Sequence, residues 1–198
     1  MSGHAHHAAH GAAGHHHEMP SGGRELSLVA ASATLHCLTG CAIGEVLGVA
    51  IGTALDFSNA ATIALAVALA FLFGYGLTSL PLLRAGLALS AVIPIALASD
   101  TLSIAVMEVI DNLIILLIPG AMEAGLDELM FWGSLAFALG VAGFCAWPVN
   151  RWLIARGRGH AVVHETGIHG GPPIPVVAAV FAVAFAFGAV VLAMEAAA

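Results

Sequence analysis

Apolar residues along the chain gather into five long blocks, 26–55, 60–80, 82–118, 129–147 and 175–194, parted by short polar breaks. A helix that crosses the hydrocarbon of a bilayer needs about 20 such residues, with a range of roughly 17–25. The second, fourth and fifth blocks fit one crossing each. The first is long enough to tilt or to project from the bilayer. Pro81, Pro119, Pro148 and Pro175 lie at block edges, where a missing N–H costs little.

The third block does not fit a single span. As one helix, its 37 residues would measure about 55 Å against roughly 30 Å of hydrocarbon. Pro94 and the step Ser99-Asp100-Thr101 lie near its middle. It is either one long kinked helix or two spans that turn at Ser99-Asp100.

Charge separates the two topologies. The basic residues are Arg24, Arg84, Arg151, Arg156 and Arg158, and there is no lysine. Five spans place all of them on one side, with Asp56, Glu123, Asp127 and Glu128 on the other. That matches the rule that positive loops stay inside. Six spans put the Arg151–Arg158 cluster opposite Arg24 and Arg84. The expected fold is therefore an all-α polytopic bundle of about five transmembrane helices, with a cytoplasmic N-terminus.

Composition agrees. The chain of 198 residues is 60% hydrophobic and 9% charged, whereas a soluble domain carries about 25% charged residues. A net charge of −7 without a basic patch excludes phosphate-backbone binding, and so a nucleic-acid partner. Cys37, Cys41 and Cys145 fall in apolar blocks and form no secreted disulfide framework. The first block lacks the short apolar region and cleavage site of a signal peptide, so it is expected to remain as the first span.

Residues 1–25 form a separate segment rich in Gly, Ala and His, with His4, His6, His7, His10, His15, His16 and His17. Such a composition predicts a flexible tail that builds no core and could collect imidazole-binding ions weakly. Residues 26–198 are expected to form a single transmembrane domain.

Two constellations carry candidate chemistry. The first block contains His36-Cys37-Leu38-Thr39-Gly40-Cys41-Ala42-Ile43-Gly44-Glu45. Residues four apart share a helix face, so Cys37, Cys41 and Glu45 form one stripe. His36, Gly40, Gly44, Gly48 and Gly52 form the adjoining stripe, an extended small-xxx-small packing signal. Thiol, imidazole and carboxylate are the donors that borderline transition metals take. Each part also has an ordinary use: Cys is often a small buried apolar residue, and membrane glycines usually serve packing.

The second constellation is Asp100, Met107, Glu108, Asp111 and Asn112. Offsets of 7 and 11 nearly complete whole turns, so Asp100, Met107 and Asp111 share a face that Glu108 flanks. A carboxylate at mid-bilayer costs about 2.5–3.5 kcal/mol. Such groups should face a protein interior or a wet cavity. If the block turns at Ser99-Asp100, Asp100 is instead a surface turn residue. His160, His164 and His169, in a Gly-rich loop, are a weaker signal.

The runs ATLHCLTGCAIGEVLG, SDTLSIAVMEVIDN and PGAM (119–122), with their HCxxGCxxGE and MExxDN motifs, resemble a family of small bacterial multi-pass membrane proteins. That family is catalogued as a domain of unknown function. The resemblance covers about Ser27 to His160 and implies a bacterial inner-membrane protein without implying an activity. The Cys pair and glycine spacing are also similar in kind to copper-uptake proteins, but the Met-x-x-x-Met signature of those proteins is absent.

No phosphate loop and no Gly-x-Ser-x-Gly elbow is present, so neither a nucleotide cofactor nor an enzyme is expected. The leading expectation is binding or transport of a transition-metal ion, with copper ahead of zinc, nickel and iron. The candidate metal residues are His36, Cys37, Cys41, Glu45, Asp100, Met107, Glu108 and Asp111. The rivals are a redox accessory that cycles Cys37 and Cys41, and a structural subunit docked through the glycine stripe. Expected partners are the lipid bilayer, the metal ion, and either further copies of the chain or a larger membrane complex.

Overall fold

A computed structural model describes residues 23–164, 166 and 174–197. The His-rich tail, from His4 to His17, and His169 lie outside the described residues. The described residues form six helices: α1 (Gly23–Ala54), α2 (Asn59–Arg84), α3 (Leu89–Leu117), α4 (Leu129–Ile154), the single turn α5 (Ala161–His164) and α6 (Ile174–Glu195). Four are long and apolar enough to cross a bilayer. The shorter, apolar α6 has 22 residues, about 33 Å of helix at 1.5 Å per residue. The chain is thus a helical membrane bundle.

The third apolar block forms one helix, as the five-span reading expects, but a shorter one than the block. The break falls at residues 85–88, not at Ser99-Asp100, and α3 is a single helix of 29 residues. Pro81, Pro94 and Pro148 lie inside α2, α3 and α4, so Pro81 and Pro148 are not the boundaries that the sequence suggested. Neighbouring helices and local adjustment tolerate proline in membrane helices. The polar step stays helical because its hydroxyls turn back onto the backbone. Ser99 Oγ donates to the Ala96 carbonyl at 3.0 Å, and Thr101 Oγ1 to that of Leu97 at 2.6 Å.

Alternation of the long helices puts Arg24, Arg84 and the Arg151–Arg158 cluster at one end of the bundle. Asp56, Glu123, Asp127 and Glu128 lie at the other. Near the arginine end, α4 is tied back to the start of α1. Trp147 Nε1 donates to the Ser27 carbonyl and Arg151 Nε to Ser27 Oγ, both at 3.2 Å. Reporters fused after Arg158 and after Glu123 should therefore report opposite sides of the membrane. Both on one side would contradict this topology.

The glycine stripe of α1 has a partner. Against His36, Gly40, Gly44, Gly48 and Gly52 lie Thr78, Gly74, Ala70, Ala66 and Thr62 of α2, running the other way at the same spacing of four. A Cβ placed on Gly44 would come within 2.5 Å of the Ala70 Cα, and one on Gly40 within 2.7 Å of the Gly74 Cα. The two backbones touch, which is what small residues at a helix interface permit. The final rung is polar: His36 Nε2 and Thr78 Oγ1 are 2.8 Å apart. Outward faces carry Leu72, Val109, Phe144 and Val183, each more than half exposed, as lipid contact requires.

Candidate functional site: a buried polar line between helices 1 and 3

With one stripe of α1 committed to α2, the adjoining stripe of Cys37, Cys41 and Glu45 turns toward α3. Helices α1 and α3 run the same way, so each residue meets its counterpart at the same depth. Cys37 Sγ lies 4.0 Å from Asp100 Oδ1. Cys41 lies beside Glu108, and Glu45 beside Glu108 and Asn112. Asp111 stands near Glu45 and Glu108. Met107, fully buried, joins Cys37 and Cys41 in the core. From His36 to Glu45 the rise is about 14 Å, nearly half the hydrocarbon thickness.

The exposure of the acidic groups is decisive. Asp100 is 0% exposed, Asp111 1% and Glu108 4%. Five of their buried oxygens and one of Glu45 have no hydrogen-bond partner: Asp100 Oδ2, both of Glu108, both of Asp111, and Glu45 Oε1. Among the described residues the one ion-pair partner is His160, whose Nδ1 lies 3.1 Å from Asp100 Oδ1. A buried unpaired carboxylate is among the most expensive groups a protein can hold, and in hydrocarbon more so.

The line has two distinct ends. Toward the acidic loops it meets a cavity of about 440 Å³, bordered by Glu45, Asn112, Thr53, Thr62, Met122 and Glu123. Toward the arginine end it meets His160, on the connection that follows α4. The His160 ring packs on that of His36, with centroids 5.2 Å apart.

The eight residues expected to hold a metal are thus sorted, not gathered. His36 faces α2 and His160. Cys37 faces Asp100, Cys41 lies beside Glu108, and Glu45 lies at the Glu108–Asn112 level. Met107 lies in the same buried core as the two cysteines. Among the described residues no three His, Cys, Asp or Glu side chains form a ready metal cage. All three cysteines are free thiols.

Sequence reasoning passed over several polar members. Asn150 of α4 is buried and donates to Thr34 Oγ1 at 2.9 Å and to Ser103 Oγ at 3.0 Å, bracing α1, α3 and α4 around the line. An Asn in an apolar block was a legible signal. His160 was noticed, but nothing in the sequence ties it to Asp100, 60 residues away.

A family model described as "Domain of unknown function (DUF4396)" matches residues 28–159. The chain belongs to the DUF4396 family. No curated protein and no solved structure matches it. The DUF4396 segment holds every helix residue of the polar line, from His36 on α1 to Asn150 on α4. It stops one residue short of His160 and leaves α6 outside.

Proposed function

We propose that this membrane protein carries a transition-metal ion across the bilayer along the line between α1 and α3. The observation that supports this most is the set of unpartnered, buried carboxylate oxygens on Glu45, Asp100, Glu108 and Asp111. A mobile cation supplies the missing charge when it passes. Donors spread over successive depths suit transit, whereas a resident structural ion takes a closed set of four ligands.

The donor mixture bears on the cargo. Two thiols, a thioether and imidazole beside four carboxylates suit a borderline divalent ion such as Zn(II), Ni(II) or Fe(II) better than Cu(I), which favours sulfur. The two thiols face different carboxylates, which supports use as successive ligands above use as a redox pair. The arginine distribution supports a cytoplasmic location for the arginine end. Together with the resemblance to small bacterial membrane proteins, that favours the inner membrane.

The test is elemental analysis of the purified full chain, incubated with Zn(II), Ni(II), Fe(II) or Cu(I) and washed with a mild chelator. Changing Cys37 and Cys41 together to Ser removes soft donors while keeping size. The double variant should lose one tightly held equivalent relative to the parent, and the affinity of the parent should rise with pH as thiols give up protons. Equal metal content in parent and variant would refute ligation by the cysteines.

A further inference from the structure

The arginine end of the polar line is covered by a short connection, residues 155–160, that leads from α4 into α5. Two glycines shape it. Gly157 and Gly159 have φ of +65° and +60°, a region side-chain-bearing residues avoid. The turn they make brings the chain back over the bundle: the amide of Arg158 donates to the Leu153 carbonyl at 2.9 Å. His160 then points inward, 14% exposed at its side chain, onto an aspartate that is wholly buried. The Cys37 thiol lies 4.0 Å from the same oxygen, Asp100 Oδ1, that His160 approaches.

We propose that His160 is the plug of the polar line at its arginine end, and the first donor that an ion meets there. Three observations carry this. Its imidazole holds Asp100 Oδ1, the outermost carboxylate of the line. Its ring covers His36, and the space enclosed by His36, Thr78, Pro81 and His160 is only about 30 Å³, room for about one water. At the opposite end, among the described residues, the cavity at Glu45 is more than ten times larger. The line therefore ends in tight packing on one side and in a roomy cavity on the other. A cation arriving at the tightly packed end can exchange the His160–Asp100 contact for ligation by both side chains. This role rests on the transport reading, but the tight packing itself is a property of the fold.

Cys37 supplies the test. Purified full-length protein, stripped of metal with chelator, is treated with a small water-soluble thiol reagent, and peptide mass spectrometry follows the label on Cys37. Parent protein should label Cys37 slowly. His160→Ala should label it at least about tenfold faster, the scale of losing one charge-assisted hydrogen bond. His160→Asn keeps a donor at the position of Nδ1 and should fall between the two. Gly159→Val displaces the plug without deleting it and should also accelerate labelling, so the test stands even if His160→Ala is not recovered folded. Labelling of Cys37 that is equally slow in all folded variants, or already fast in the parent, would overturn the plug. Zn(II) should then slow labelling in His160→Ala. If labelling is fast but Zn(II) gives no protection, the plug stands and the transport reading fails.

Discussion

Replacing Gly44 with Leu should abolish recovery of folded protein, whereas Leu72→Ala should leave it nearly unchanged. At Gly44 even a single carbon would press on the backbone of Ala70, and α2 has no softer atom there to give way. Ordinary overpacking of a core costs about 1–3 kcal/mol because side chains rearrange. Here two whole helices must part, and with them the rungs at Gly40, Gly48 and Gly52. The loss should exceed about 3 kcal/mol, the top of that range. Leu72 faces lipid at 62% exposure and has no such partner. Thermal unfolding in detergent, followed by size-exclusion, checks both. A Gly44→Leu protein that melts with the parent would show that α1 and α2 do not meet along this stripe.

The second large effect runs the opposite way for stability. Changing Glu108 to Gln and Asp111 to Asn together should hold or raise the melting temperature while weakening metal binding. Both side chains are buried with all four oxygens unpartnered, so ionising them burdens the folded bundle in the absence of a cation. The amides keep the shape and remove the charge. Groups held at a cost to stability are those that function retains. Each contact to a charged ligand is worth about 1.5–3 kcal/mol, so affinity should drop by at least about a hundredfold. Isothermal titration with Zn(II) beside thermal unfolding reads both quantities. A large fall in stability with unchanged affinity would make these carboxylates structural.

Much of this arrangement is legible in the sequence. Hydropathy alone yields the crossings, and the spacing of four separates the two stripes of α1 correctly. The arginine positions favour the topology that the helices adopt. What failed is instructive. Pro81 and Pro148 read as boundaries because proline breaks helices in water, yet packed membrane helices absorb it. Ser99-Asp100-Thr101 read as a possible turn because its polarity is visible, whereas the hydroxyl bonds that hide that polarity within α3 are not. The complementary stripe on α2 was present at Thr62, Ala66, Ala70, Gly74 and Thr78 but holds a single glycine, so it drew no notice. The contacts of Asp100 with Cys37 and His160 join residues 63 and 60 positions apart, and no local pattern encodes them.

The central claim is that a metal ion moves along the line between α1 and α3. The most direct measurement is flux into proteoliposomes that contain the purified full chain and an entrapped fluorescent chelator. Zn(II), Ni(II) and Fe(II) are added outside in turn, with Cu(I) under reducing conditions. The account predicts saturable uptake of at least one of these ions above that of protein-free vesicles, lost in Glu108→Gln. Uptake equal to that of protein-free vesicles for all four ions, by protein shown to be folded, would contradict it.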